Sequence, residues 1–123
     1  MREVERVLKK GAFCFVTAPF LFRIHGEPFD LHRLTGDRLK EIVSGAGLNL
    51  IWLKPQGFYF TVMADFIKSA IAQINVRALR YLIALIALPV IVFLRLIDQL
   101  KVIEKSDFFS SFTTGYALLA EKA

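Results

Sequence analysis

Between Arg80 and Arg95 the chain runs through fourteen consecutive uncharged residues, YLIALIALPVIVFL. As a helix this stretch is about 21 Å long, against roughly 30 Å of hydrocarbon in a bilayer. It is short for a comfortable span. Arginines at both ends and Pro89 near the middle suit a helix at the level of the lipid headgroups, or a bent hairpin dipping into one leaflet. Burial in a protein core or a dimer interface satisfies the same all-round apolar surface.

A chain of 123 residues has room for one domain with one core. Hydrophobic residues make up 55% of it and the mean hydropathy is +0.51, which argues against disorder. Cys14 is the only cysteine, so no internal disulfide can form. A reduced, cytoplasmic setting and a place in the core are the expectation for it. The net charge of +5 is scattered. Lys68, Arg77, Arg80, Arg95, Lys101 and Lys105 flank or interleave the most apolar segment, while Glu3 and Glu5 dilute the N-terminal cations. With no continuous basic stripe and no RNA-binding aromatic signature, nucleic acid is not expected as a partner.

Residues 2 to 9 have a helical pattern, ended by Lys10-Gly11, where glycine can take a left-handed cap. AFCFVTA, Ala12 to Ala18, is short, aromatic and β-branched, and reads as a buried strand. Thr35 offers a hydroxyl N-cap to a helix whose apolar stripe is Leu39, Ile42, Val43 and Ala46, with Ser44-Gly45-Ala46-Gly47 as its C-terminal turn. LNLIWLKP, Leu48 to Pro55, reads as a second strand. Phe58 to Asn75 has an amphipathic helical pattern, and Arg77 to Ile103 continues as a helix or a bent pair broken at Pro89. Asp107 to Ser111 reads as a polar turn and Phe112 to Lys122 as a third strand.

No P-loop, HExxH, CxxC or G-x-S-x-G elbow occurs, and the glycines at 45 and 47 follow a helix instead of preceding one. What remains is the loop APFLFRIHGEPFDLHRLT, Ala18 to Thr35, directly after the first strand. In an open α/β sheet, ligands bind outside the carboxyl ends of the strands, where only loop residues fill the crevice. There His25 can act as a general base near neutral pH, with Glu27 or Asp30 orienting a histidine or a substrate hydroxyl. The alternative is structural: Asp30 and Arg33 pair with each other or hold backbone groups, giving the loop its shape. His25, Glu27, Asp30 and His32 have a spacing that matches no metal-ligand motif.

Taken in order, Val7-Leu8-Lys9-Lys10-Gly11, Ala18-Pro19-Phe20, the series His25, Pro28, Asp30, Arg33 and Thr35, and Ala46-Gly47 resemble the C-terminal half of a class I S-adenosylmethionine-dependent methyltransferase of the type 11 kind. TTGYALLAEK, Thr113 to Lys122, is similar to the last, antiparallel strand of that domain. Lys10 and Ala12 stand where the family's turn has proline and a second glycine. The family's glycine-rich first turn and ribose-binding acid have no counterpart in these residues.

The resemblance implies a partial Rossmann-like α/β sheet of about three strands, in the order first, terminal, second, with the terminal strand antiparallel. Residues 1–57 would be the strand, substrate loop, helix and second strand of a single incomplete domain, 58–105 an apolar helical insert, and 106–123 the terminal strand. It implies S-adenosylmethionine as cofactor and methyl transfer to a small or lipid-linked acceptor. His25 would be the base, and Asp30 and Arg33 the acceptor-positioning groups. It also implies a first strand with an open edge, and so a partner: a missing N-terminal half or a second copy of the chain. A different reading makes the chain a non-catalytic module that binds a membrane surface or oligomerises through the apolar helices of residues 66–103.

Overall fold

The computed structural model describes residues 1–24 and 32–123. His25, Glu27 and Asp30 therefore lie outside the described residues. The chain forms two compact units, Met1–Gln56 with Gly115–Ala123, and Gly57–Thr114.

The first unit is an α/β arrangement built on three strands, β1 (Phe13–Pro19), β2 (Leu48–Pro55) and β3 (Gly115–Lys122), with helices α1 (Arg2–Val7) and α2 (Gly36–Ser44). The strand order is β1-β3-β2, and β3 is antiparallel to both neighbours, so β1 and β2 run in the same direction. This is the order and direction read from the sequence. Two strands of like direction need a crossover between them, and the connection carrying α2 supplies it.

One sheet face holds the core. Leu39 and Val43 of α2 pack with Leu48, Leu118 and Ala120, and Val16, Ala18, Leu50, Leu53 and Tyr116 close around them. Val43 and Leu118 are fully buried, each contributing on the order of 1.5–3 kcal/mol. Cys14 is half-buried and not a core residue. In β2 the register against β3 slips between Leu50 and Trp52, leaving Ile51 as the extra residue. That bulge keeps both Leu50 and Leu53 on the core face and turns Trp52 to the other. There the Trp52 ring meets Phe15 edge-on at 5.9 Å, the two standing on either side of Leu119 and both in register with it.

Local chemistry sets the element ends. The Thr35 side chain accepts the Arg38 N–H at 3.3 Å, as an N-cap does. Gly47, at φ +76°, makes the left-handed turn from α2 into β2. α1 ends earlier than its pattern implies: Leu8 is already extended, and Gly11, at φ +72°, instead donates its N–H to the Lys122 carbonyl at 2.7 Å. Lys122 also reaches back to the Glu5 carboxylate at 2.9 Å, fixing α1 to the end of β3.

The second unit is helical, with α3 (Tyr59–Ala72), α4 (Arg77–Asp98) and two single-turn helices, α5 (Lys101–Glu104) and α6 (Asp107–Ser110). The last replaces the polar turn read from the sequence. α3 and α4 pack as a hairpin, joined across by the Arg95–Asp65 ion pair at 2.8 Å. Tyr59, Phe60, Phe108, Phe109 and Phe112 cluster with ring centroids 5.1–5.8 Å apart. α4 does not break at Pro89 but continues through it as one helix. Proline removes the hydrogen bond to residue 85, and both residues are exposed.

Candidate functional site

The carboxyl ends of β1 and β2 and the amino end of β3 meet at one end of the first unit. Pro19 is in register with Gly115 and Pro55 with Tyr116, and the Gln56 N–H is bonded to the Gly115 carbonyl at 2.8 Å. A side chain at 115 has no room, because a Cβ there would sit 2.5 Å from the Ala18 carbonyl oxygen. Phe20, the first residue past β1, lays its ring 5.9 Å from that of Tyr116. α2 begins beside the same tyrosine: a Cβ on Gly36 would lie 3.2 Å from the Tyr116 ring and 3.4 Å from Leu53. The small residue lets the start of the helix approach the sheet end closely.

Charges line the first turn of α2. The Lys40 ammonium, 2.8 Å from Asp37, holds that carboxyl below the usual carboxylate range and is itself raised by it, with a smaller contribution from Tyr116. Arg38 pairs with Glu41 at 2.7 Å. All four side chains are mostly solvated, so these pairs shape the surface more than they stabilise the fold.

Of the three site residues read from the sequence, His25 and Asp30 lie outside the described residues and Arg33 within them. The Arg33 guanidinium donates to the Arg23 carbonyl at 3.4 Å and to the His32 carbonyl at 3.3 Å. One guanidinium thus ties the Arg23 backbone to that of His32. His32 is exposed. Tyr116 and Gly36 were not legible as site residues, since an aromatic residue in a strand and a glycine after a cap both read as structure.

The exits from β1 and β2 do not make a dinucleotide- or nucleoside-type cradle by themselves. β1 leaves through Pro19-Phe20, with the phenyl ring on Tyr116, and β2 through Pro55-Gln56. The described exit of β1 has no glycine, and β2 runs on into α3 through the single Gly57, so neither is the glycine-rich turn that lets a backbone approach a cofactor closely. These residues alone therefore do not fit S-adenosylmethionine.

The second unit presents a different candidate. α4 turns one side to α3, but the other side is exposed and apolar: Tyr81 is 66% exposed, Leu85 69%, Ile86 66% and Phe93 60%. Burial of this helix in the chain's own core, one of the placements open from sequence, does not occur. Of the apolar window within its 22 residues, 6% is buried. Among the described residues it is the one helix long and apolar enough to cross a membrane.

No protein-family model, no curated protein and no solved structure matches this chain.

Proposed function

We propose that this chain supplies the acceptor-side half of an S-adenosylmethionine-dependent methyltransferase domain, and that the cofactor is held by a second sheet half paired along β1. The observation that carries the reading is the sheet order β1-β3-β2 with an antiparallel middle strand. That arrangement is what the resemblance of residues 4–57 and 113–122 to the family implies for its last three strands. It leaves β1 at the sheet edge, with a row of backbone donors and acceptors for a further strand.

The sheet surface favours the same reading. The face away from α2 bears Phe13 and Phe15, each about 60% exposed, next to Trp52. Open α/β sheets of this family type are covered by helices on both faces, so this aromatic face is ready for cover. On the acceptor side, the loop between β1 and α2 provides His25 to take a proton from the acceptor, with Asp30 and Arg33 positioning it. Arg33 contributes by tying the Arg23 backbone to that of His32. The acceptor is a small or lipid-linked nucleophile.

The test is to purify the chain from the cells that make it, with whatever sequence it is joined to or bound by, and to titrate S-adenosylmethionine and its demethylated product by calorimetry. Micromolar binding of both, in competition, is the expected result. A native assembly that binds neither overturns the reading.

A further inference from the structure

We propose that the α3–α4 hairpin docks flat on a bilayer containing acidic phospholipids, with the outer side of α4 in the acyl boundary and Lys68, Arg77 and Arg80 at the lipid phosphates. This inference does not rest on the methyltransferase reading. At 100° per residue, Tyr81, Leu82, Leu85, Ile86 and Phe93 share a side of α4 that contains none of its three arginines. All five are more than half exposed. A surface helix of a soluble protein has polar residues there, and an apolar side of this length needs cover.

Charge identifies the cover as an anionic lipid surface. From Phe66 to Ile97 the sequence has four cations, Lys68, Arg77, Arg80 and Arg95, and no acid. Arg95 is neutralised by Asp65, whereas Lys68, Arg77 and Arg80 have no carboxylate partner among the described residues. The cations without a carboxylate partner thus stand at the amino end of α4, Arg77 and Arg80, and at Lys68 on α3. That distribution suits a helix lying in the headgroup plane, where basic side chains meet phosphate while the apolar side sinks below it. A hairpin spanning the bilayer would instead carry Lys68, within α3, into hydrocarbon. Arg80 stacks on Tyr81, its guanidinium 5.5 Å from the ring, an aromatic and a cation side by side at the depth where bilayers accept both.

A groove of about 380 Å³ between the two helices has the same polarity. Ile71, Ala84, Leu88 and Ile91 form its apolar walls, with Lys68 and Arg95 also lining it. An acyl chain beneath a phosphate that meets Lys68 matches that lining, and a protein helix laid against α4 does not need that cation.

Flotation of the full chain with vesicles tests the proposal, using phosphatidylcholine alone and phosphatidylcholine mixed with phosphatidylserine, in the absence of S-adenosylmethionine. The chain is expected to float with the mixed vesicles, much less with the neutral ones, and to lose affinity as salt is raised. Leu85→Asp with Phe93→Asp, both exposed, should abolish binding with the far-ultraviolet circular dichroism unchanged. Lys68→Glu with Arg77→Glu should weaken binding to the mixed vesicles roughly tenfold or more. Should the aspartate variant lose helix signal, the charge-reversed variant decides, and unchanged affinity overturns the proposal. So does failure to bind either vesicle, including the case where sedimentation shows a dimer of this chain that the aspartate variant splits. Because no cofactor is present, vesicle binding and cofactor binding fail independently.

Discussion

The Asp98 carboxylate accepts the backbone N–H of Phe58, forty residues earlier, at 2.6 Å. The same carboxylate accepts the Phe60 N–H at 3.0 Å and the Thr61 hydroxyl at 2.7 Å. Phe58 is the N-cap position of α3, and no side chain of its own turn caps that helix. The last residue of α4 therefore does for α3 what a local serine or aspartate usually does: it satisfies donors that the helix cannot, with negative charge at the positive end of its dipole. Asp98 is 4% exposed, so the bonds are shielded from water.

Asp98→Ala should accordingly destabilise the chain by about 2–4 kcal/mol, since it strands two backbone N–H groups and a hydroxyl. Asp98→Asn, which keeps an acceptor but loses the charge, should cost about half as much. Urea denaturation followed by circular dichroism measures both. A loss below about 0.5 kcal/mol for the alanine variant would mean that water replaces the carboxylate at the helix start.

This bond marks where sequence reading stops. The cap at Thr35, the stop of α2 before Gly47 and the presence of three strands are local signals, each decided within a few residues, and the structure reproduces them. But β1 is an edge strand with Phe13 and Phe15 exposed and not the buried strand that AFCFVTA suggests. Asp98 had one local signal, an acid at the negative end of a helix dipole, which is unfavourable unless it answers to something else. What it answers to lies forty residues away. The bulge at Ile51 is hidden for a related reason: LNLIWLKP alternates on either side of it, and only pairing with β3 reveals the extra residue. The exposed side of α4 is also illegible, because an apolar helix reads the same whether its outside meets protein, lipid or water. In the loop after β1, residue types and spacing point to chemistry, and of its candidate residues Arg33 and His32 are among those the structure describes.

The sheet end is closed by a glycine that admits no substitute. Gly115→Ala would place a methyl 2.5 Å from the Ala18 carbonyl oxygen, a backbone atom that moves only if β1 and β3 separate. The expected cost is about 2 kcal/mol or more, seen as a lower urea midpoint. Because Pro19 and Gln56 adjoin the same glycine, the variant should also disturb the Phe20–Tyr116 ring contact, which near-ultraviolet circular dichroism reports.

β1 is an edge strand with Phe13 and Phe15 exposed on one face, the combination that favours pairing with another chain. The isolated chain is expected to self-associate as its concentration rises. Phe13→Lys should shift sedimentation toward monomer: a lysine blocks edge pairing, and Glu121 stands opposite it in register to receive the charge. An unchanged sedimentation profile would place the self-contact elsewhere than β1.

In the native assembly, His25→Ala tests the acceptor-side role directly. A general base contributes roughly 10²–10⁴-fold, so turnover should fall by about that factor while cofactor affinity and urea midpoint stay as they were. Only the neutral imidazole can accept a proton, so kcat/KM of the unsubstituted chain should rise with pH as a histidine base loses its proton. The variant should lack that rise. Arg33→Ala separates the positioning role from the chemical one: without its bonds to the Arg23 and His32 carbonyls the tie between those two backbone positions is lost. KM for the acceptor should then increase while the pH profile set by His25 is retained. Turnover indifferent to His25 would remove the histidine from the mechanism and leave the loop as a binding element alone.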